Sequence, residues 1–469
     1  MPDTGIHAAT VPGAIDAWNC ALERFGTRTL AQSLSSAIEF AAEGYPVTPV
    51  IAGVWKRYEA LLSRFEFSSQ HLLVNGKAPL AGTLHRQPAL ARTLEMIAAE
   101  GPDAFYRGPI AREIVRFSES LDGLFTLEDF ADHTSTWVTP ISSSYRGHRL
   151  FELPPNGQGI TALMMLNILE KADIAGLDPY GAQRIHLFAE AYKLALAERD
   201  RFVSDPDMND LPVEGLLSEE FASSQWARID PEKALPPPVS SGYSQAKDTV
   251  YLSVVDAQRN MVSFINSTCY SFGCGVVAGN TGVVLQNRGV CFTLEDGHLN
   301  CIGPNKRPMH TIIPAMLYSN ERPSLCFGVM GGHYQPMGHS YVLSNWLDHG
   351  MDLQEALDFY EGKLGFENKR RYDDRVTFNM FGDQLVCHLS PDKIDTDAEP
   401  YPRHFGITFH KQSDFDSFVV LLEDNKVELL NPISTRFDNM PEVHQTFFVK
   451  DPSNNILEFK FYANSEMMH

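Results

Sequence analysis

Apolar side chains recur every three to four residues through much of the first 235 positions, a pattern typical of amphipathic helices. The spacing predicts helices over residues 14–25, 34–43, 90–100 and 182–200. The last is the clearest, because apolar and charged residues keep helical spacing from Arg184 to Lys193. The prolines and glycine of residues 236–242 then mark a linker or an exposed loop.

Short runs with strand character replace the helical pattern from residue 249 onward. Strands are predicted over 249–255, 261–267, 275–285 and 312–317, and residues 257–260 are predicted to form the turn between the first two. We therefore expect a layered α/β body whose central sheet comes mainly from residues 249–330.

A further change near residues 355–365 opens a tail in which strands and a helix alternate. Its predicted helix covers 413–423, and its predicted strands are 376–380, 384–389, 404–410, 427–430, 446–450 and 456–462. This order describes a βαβββ unit preceded by the end of another unit.

The length, net charge and apolar stretches of the chain indicate how many domains it can form and which partners are not expected. The chain has 469 residues, 43% of them hydrophobic, which at ~100–200 residues per domain leaves room for two to four domains. Its 38 basic and 59 acidic residues give a net charge of −21, so nucleic acid is not expected as a partner. The longest apolar stretch, 160–169, is much shorter than the ~20 residues that span a bilayer, and no membrane segment is predicted.

The first residues lack a basic segment followed by an apolar one, so the chain as given is expected to be cytoplasmic. The seven cysteines fit this expectation, because their number is odd and they show no paired CxxC spacing. We predict free thiols in a reducing compartment rather than a disulfide framework or a zinc ribbon.

Thr249 is the first candidate for chemistry, since it starts a predicted strand directly after a loop. A break in the backbone before it would free an α-amine, and that amine could act as the base for the threonine's own hydroxyl. Folding strand 249–255 against 261–267 pairs residues whose numbers sum to about 516–517, which brings Ser267 or Thr268 beside Thr249. An ordinary strand residue is the alternative, because threonine is common at strand starts.

A glycine pair supplies the second candidate. Gly331 and Gly332 follow an apolar strand, and their main-chain N–H groups could point at a developing oxyanion without interference from a Cβ atom. An ordinary tight turn is the alternative reading.

Taken together, these segments resemble the γ-glutamyltranspeptidase (glutathione hydrolase) family over about residues 5–358. The matching pieces, in chain order, are TVPG at 10–13, DAFYRG at 103–108, PPNGQG at 154–159, residues 190–206, Asp248-Thr249, Ser267, Phe272-Gly273, Lys306-Arg307-Pro308 and Gly331-Gly332. The resemblance implies an αββα N-terminal-nucleophile (Ntn) hydrolase that is made as a precursor and cleaves itself between Asp248 and Thr249. The large-chain part would be residues 1–248 and the small-chain part 249–358.

The resemblance also implies roles for single residues. Thr249 would be the nucleophile, Ser267 the neighbouring hydroxyl where the family usually has threonine, and Gly331 and Gly332 the oxyanion donors. Substrate contacts are expected from Arg288, His310 and Thr311, the last two standing where the family commonly has a serine pair. Cys291 stands where the family has the carboxylate that holds the substrate amino group, so an acyl group other than an α-amino acid is an open alternative. No cofactor is expected for this part.

Two departures concern the ends of the resemblance. The family's first strands, with the arginine that clamps the substrate carboxylate, have no counterpart, and the small-chain resemblance stops near Leu357. We therefore expect an incomplete αββα sandwich with exposed edges and apolar faces, and from these we expect self-association.

The tail resembles the vicinal-oxygen-chelate superfamily of glyoxalases, dioxygenases and bleomycin-resistance proteins. The resemblance rests on residues 356–366 and 451–459, and the expected domain covers residues 359–469. His388, His404 and Glu458 stand where that superfamily carries metal ligands, which implies a divalent iron, manganese or zinc ion. Alternatively, the two histidines are ordinary strand residues whose ring nitrogens are hydrogen-bonded, and Glu458 is an ordinary strand residue exposed to solvent.

The expected fold class is thus α+β, an incomplete Ntn-hydrolase-like αββα sandwich followed by a βαβββ vicinal-oxygen-chelate-like module. The leading functional hypothesis is an amide hydrolase or acyltransferase that acts on a γ-glutamyl or related small-molecule amide through Thr249. A metal-dependent lyase, dioxygenase or binding module in the tail is the second hypothesis. A hybrid remnant without activity is the third.

Overall fold

The computed structural model describes residues 1–179, 181–236, 247–350, 367–371, 375–380, 383–388, 405–409, 411–438, 440, 443–450 and 456–462. For residues 247–248, 367–388 and 405–406 the description covers the backbone only. The chain divides into two compact units, one formed by Met1–Lys171 with Ala189–His339 and the other by Ala172–Phe188 with Ser340–His469.

Fourteen α-helices are defined in the described residues. They are α1 (Ala14–Phe25), α2 (Leu30–Glu43), α3 (Pro49–Leu62), α4 (Glu66–Leu72), α5 (Pro88–Glu100), α6 (Asp103–Tyr106), α7 (Pro109–Glu119), α8 (Leu127–Ala131), α9 (Gly159–Leu169), α10 (Ala182–Phe202), α11 (Val213–Leu216), α12 (Glu219–Trp226), α13 (Gln335–Leu347) and α14 (Gln412–Asp424).

Fifteen strands are defined in the same part of the chain. They are β1 (Tyr45–Pro46), β2 (Leu84–His85), β3 (Ile141–Tyr145), β4 (His148–Glu152), β5 (Lys247–Val255), β6 (Met261–Tyr270), β7 (Ala315–Ser319), β8 (Arg322–Phe327), β9 (Glu367–Arg371), β10 (Arg375–Met380), β11 (Asp383–His388), β12 (Phe405–Phe409), β13 (Ser434–Arg436), β14 (His444–Lys450) and β15 (Ile456–Tyr462).

The four helices predicted from spacing are confirmed, and two of them, α2 and α5, start earlier than predicted. α2 begins earlier than expected because Thr29 caps it, forming a capping box with Gln32. α5 begins at Pro88, since proline is well tolerated at the first helical position. Apolar periodicity locates the buried face of a helix, whereas the cap residues decide where the helix starts.

The first unit contains a four-stranded antiparallel sheet in the order β3-β4-β7-β8. Two of its strands come from the region expected to be mainly helical, so the expectation that residues 249–330 supply most of the central sheet is wrong for this sheet. β3 escaped detection because its centre is three serines, which do not give an apolar alternation. Arg146 and Gly147, both with positive φ, form the two-residue turn that joins β3 to β4.

β5 and β6 form a separate two-stranded antiparallel sheet, joined by the predicted turn. The face that carries Tyr251 is directed toward β8, because the Tyr251 hydroxyl bonds Ser263 Oγ at 2.8 Å and Ser263 Oγ in turn donates to the Phe327 carbonyl at 3.4 Å. The opposite face exposes a row of apolar side chains, Val250, Leu252 and Val254, which are 59%, 52% and 54% exposed.

Residues 275–285 do not form the strand that was expected. Val277 and Val284 share one isolated bridge, and Gly279–Thr281 makes a 3-10 turn between them. Val276, Ala278 and Leu285 are nevertheless buried in the main apolar core, which is why this run looks like a strand in the sequence. The Ser68 hydroxyl fixes the loop by bonding the Gly275 carbonyl and the Val277 N–H at 2.8 and 2.9 Å.

The C-terminal part of the second unit carries the predicted βαβββ order. Its sheet runs β12-β15-β14-β13, with β12 parallel to β15 and the other pairs antiparallel. The expected strand at 427–430 is wrong, since Leu429 makes only an isolated bridge to Val449 and β13 begins at Ser434. The core beneath α14 is aromatic and includes Phe409, Phe415, Phe418, Phe447 and Phe459. β9, β10 and β11 form a three-stranded antiparallel sheet.

Candidate functional site

Thr249 lies at an irregular position of the β5–β6 pair. Asp248 pairs with Cys269 and Val250 pairs with Asn266, so Ser267 and Thr268 together lie opposite Thr249. The residue numbers of the pairs therefore sum to 517 before the bulge and 516 after it, which confirms the predicted register. A bulge of this kind turns a side chain out of the regular alternation.

The bulge places two hydroxyls together. Thr249 is 4% exposed, and its Oγ1 donates to Ser267 Oγ at 3.4 Å. Ser267 Oγ also accepts the N–H of Cys269 at 2.9 Å, which fixes the serine side chain. Thr268, the other candidate, donates instead to the Tyr270 carbonyl at 2.8 Å. The structure thus selects Ser267 from the two predicted neighbours.

The glycine pair lies next to this strand. The 3-10 turn Gly332–Tyr334 approaches β5 within 8 Å between Cα atoms. Gly331 and Gly332 have φ values of 129° and 59°, a backbone conformation that favours glycine. Within the described residues, neither glycine N–H has a hydrogen-bond acceptor. The two donors are therefore available for another acceptor.

Gln158 is a member of the site that was not singled out from the sequence. Its Nε2 donates to the carbonyls of Thr311 and Gly332 at 2.9 and 2.8 Å, and its Oε1 accepts from Arg199 at 2.9 Å. The only available signal was its position inside the PPNGQG segment. One amide side chain thus holds the glycine turn and the segment at 311 in fixed relation.

Arg199 continues this network. Its Nη1 lies 2.9 Å from Nδ1 of His333, and its guanidinium forms an ion pair with Asp200. The Tyr192 hydroxyl bonds the His333 carbonyl. Two side chains of α10 therefore support the residue that follows the glycine pair.

Arg288 lies in a 3-10 turn, Arg288–Cys291, and its side chain is buried. Nη1 donates to Thr311 Oγ1 at 3.1 Å. The preceding residue, Asn287, donates its main-chain N–H to the Thr268 carbonyl at 3.1 Å. Two of the three predicted substrate contacts, Arg288 and Thr311, are thus brought together and tied to both the hydroxyl pair and the Gln158 network.

His310, the third predicted contact, is held by its backbone. Its N–H donates to the Asn156 carbonyl and its own carbonyl accepts from the Gln158 N–H, at 3.0 and 3.1 Å. Burial, with a smaller contribution from Arg288, lowers the pKa of His310 to about 3. The imidazole is therefore neutral near pH 7 and is a poor candidate for a cationic contact to a carboxylate.

The predicted metal ligands of the tail are not all within the described side chains. His404 and the side chain of His388 lie outside them. Glu458 is buried, with one carboxylate oxygen accepting from Thr446 at 3.0 Å and the other paired with Lys460 at 2.8 Å. No group of three ligating residues occurs among the described residues. The metal site stays a prediction, and no catalytic step is derived from it.

Helix length and hydropathy decide whether a helix can insert into a membrane. Within the described ranges, no helix is both long and apolar enough to cross a bilayer.

Comparison with known proteins follows the same division of the chain. Residues 1–382 match the family profile described as Gamma-glutamyltranspeptidase. Residues 350–459 match the Glyoxalase/Bleomycin resistance protein/Dioxygenase superfamily. The second match confirms that a module of this superfamily follows the first region.

Similar proteins include two bacterial proenzymes. The chain is 37% identical to the Glutathione hydrolase-like YwrD proenzyme of Bacillus subtilis, with 83% of this chain and 74% of that protein covered. It is 36% identical to the Oxamate amidohydrolase proenzyme of Klebsiella pneumoniae, with 78% and 69% covered.

Among solved structures, the cephalosporin acylase from Bacillus halodurans superposes with a TM-score of 0.71 at 33% sequence identity, covering 98% of this chain and 78% of that one. The similarity confirms the predicted α+β, Ntn-hydrolase-type fold. By sequence and by structure, the chain belongs to the gamma-glutamyltranspeptidase family, with a glyoxalase-superfamily module in its C-terminal part.

Proposed function

We propose that the chain is a self-processing amide hydrolase and acyltransferase whose nucleophile is Thr249. The observation that carries this proposal is the buried Thr249 hydroxyl, 3.4 Å from Ser267 Oγ and directly after the Asp248–Thr249 bond. The nearby N–H groups of Gly331 and Gly332, which lack acceptors among the described residues, support it.

The first reaction is cleavage of the chain itself. Thr249 Oγ1 attacks the carbonyl carbon of Asp248, and the C–N bond breaks as the C–O bond forms, which leaves an ester and a free Thr249 amine. Water then hydrolyses the ester, giving a carboxylate at Asp248 and restoring the threonine hydroxyl. Both relatives compared above carry the word proenzyme in their names, which supports maturation from a precursor.

The second reaction acts on the substrate amide. The freed α-amine, with an ordinary pKa of ~7.7–8.0, takes the proton from Thr249 Oγ1 as the oxygen attacks the acyl carbon. Gly331 and Gly332 stabilise the oxyanion through their N–H groups. The protonated amine then donates its proton to the leaving nitrogen, and water or an acceptor amine releases the acyl group.

The substrate is a γ-glutamyl compound or a related amide. Support comes from the relatives, whose names include glutathione hydrolase, oxamate amidohydrolase and acylase. We read these names as reactions that break the same kind of bond, the carbon–nitrogen bond of an amide, in substrates with different acyl groups.

Intact-mass measurement of the purified protein tests the proposal. We expect two chains separated between Asp248 and Thr249 in the wild type, and a single chain of 52.4 kDa in Thr249→Ala. Ser253→Ala is the matched control, because it removes an exposed hydroxyl from the same strand and should leave cleavage intact. An uncut wild type would contradict the proposal and favour the inactive remnant or the tail hypothesis.

Pre-steady-state kinetics test the second reaction. Processed enzyme mixed with a p-nitroanilide should release a burst of nitroaniline equal to the number of Thr249 sites, together with an acyl adduct on the 249–469 chain. Self-cleavage without an acyl adduct or nitroaniline release would support the first reaction and contradict the second.

A further inference from the structure

Arg288 is a buried cation with an incomplete set of partners. Its side chain is 8% exposed, and Nη1 has Thr311 Oγ1 as its acceptor. Nη2 is buried and has no hydrogen-bond partner within the part of the chain that the structure describes. Across the described residues, no carboxylate lies within the 4.0 Å of an ion pair with Arg288. Burial of a charge in this condition is unfavourable unless a further partner arrives.

The position of this cation connects it to the Thr249 site. On one side, Asn287 is bonded through its N–H to the carbonyl of Thr268, the residue after Ser267. On the other side, Thr311 shares the Gln158 amide with Gly332. The guanidinium is thus linked by short hydrogen-bond paths to the hydroxyl pair and to the glycine turn.

The described carboxylates around this network do not neutralise Arg288. Asp200 forms an ion pair with Arg199, and Asp3 contacts the turn through its main-chain carbonyl, which accepts from Asn287 Nδ2 at 2.7 Å. Cys291, in the same turn as Arg288, adds no carboxylate. A carboxylate on the substrate would find a partner in Arg288, whereas the like charge of Arg288 would repel an ammonium group.

We propose that Arg288 binds a carboxylate on the acyl group of the substrate, so that the preferred donors are monoamides of dicarboxylic acids without an α-amino group. This inference rests on the proposed function, because it names the substrate class of the Thr249 site. A guanidinium forms paired, charge-assisted hydrogen bonds with a carboxylate, and Nη2 is one available donor.

Three p-nitroanilides test the inference, and their acyl groups share a chain of three carbons beyond the acyl carbonyl, not counting any carboxylate. Glutaryl carries a terminal carboxylate, butyryl carries none, and γ-glutamyl carries a carboxylate and an ammonium group. With wild-type enzyme, we expect kcat/KM for glutaryl to exceed that of each of the other two by about tenfold or more, the usual effect of a charge-assisted pair.

Arg288→Met should remove this preference. We expect its kcat/KM for glutaryl to fall to the butyryl level, chiefly through KM, while the butyryl value changes by less than about threefold. Arg288→Lys keeps the positive charge but lacks the paired N–H donors of the guanidinium group, and it should retain part of the preference for glutaryl. Arg184→Met is the control, because Arg184 is fully buried but bonded to Pro179, Ser344 and Asn345, and its loss should leave the substrate ratios unchanged.

The outcomes separate the two proposals. Equal rates for glutaryl and butyryl, a preference for γ-glutamyl, or a glutaryl preference that survives Arg288→Met would overturn the inference and leave the proposed function standing. Absence of nitroaniline release with all three anilides would overturn the proposed function and the inference with it. Circular dichroism checks the fold of each variant, and Arg288→Gln, which keeps a donor for Thr311, replaces Arg288→Met if the methionine variant does not fold.

Discussion

At the scale of single residues, the candidate nucleophile depends on a mismatch of one residue between two strands. Because Ser267 and Thr268 share the place opposite Thr249, one hydroxyl faces the threonine and the other turns to a main-chain carbonyl. We therefore predict that Ser267 is a positioning residue, which acts on catalysis by orienting Thr249 Oγ1.

Ser267→Ala tests this role. The loss of one hydrogen bond to the nucleophile should lower kcat for anilide hydrolysis by about 10- to 100-fold, equivalent to about 1.4–2.7 kcal/mol in the transition state, with KM nearly unchanged. Ser267→Thr keeps a hydroxyl and should restore most of the rate. A kcat for Ser267→Ala within about twofold of wild type would contradict the positioning role.

The sequence predicted the hairpin pairing better than the network around it. The turn at 257–260 sets the register, and a register assigns opposite residues directly, so the Thr249–Ser267 contact was accessible. Gln158 was not, since a loop glutamine acquires its role only when chain segments more than 150 residues away fold onto it. The bulge itself escaped notice because it depends on both strands at once.

At the scale of elements, a buried pair connects β4 to α13. Glu152 Oε1 and His339 Nδ1 are 2.7 Å apart, and both side chains are fully buried. β4 leads into the segment with Gln158, and α13 begins just after the glycine turn. The pattern of apolar residues does not predict this contact, because prediction relies on apolar alternation and buried polar residues interrupt it. The serine-rich strand β3 was missed for the same reason.

Glu152→Gln tests the pair through its pH dependence. Burial raises the pKa of Glu152, while His339 acts in the opposite direction. The carboxyl group of Glu152 therefore holds its proton more tightly in the folded protein than in the unfolded chain. The contribution of Glu152 to the free energy of unfolding then falls as the pH rises above the ordinary glutamate pKa of ~4.3. Between about pH 5 and about pH 8, the Tm of the wild type should decrease more than that of Glu152→Gln.

An exposed carboxylate provides the control for this experiment. Glu39→Gln lies on the solvent side of α2 and should follow the wild type across the same pH range. Parallel Tm curves for wild type and Glu152→Gln would show that the buried carboxyl adds no pH dependence, contrary to the expectation.

At the scale of the whole molecule, the β5–β6 sheet presents an apolar face to solvent. Val250, Leu252 and Val254 alternate along β5, and Val262, paired with Val254, extends the row on β6. Tyr251, on the other face, packs against Gly328, so the exposed row is the outer side of the sheet. Contiguous apolar surface beside unpaired strand edges favours association.

Self-association through this face, with a second copy of the chain as the partner, is therefore expected. Sedimentation velocity over a range of concentrations should show a monomer–dimer equilibrium, and Leu252→Lys should raise its dissociation constant by about tenfold or more, because a charge replaces an apolar contact. Leu124→Lys changes a leucine that is 83% exposed in a loop and should leave the equilibrium unaltered. A wild-type monomer at every concentration, or equal effects of the two lysine variants, would exclude this face as the interface.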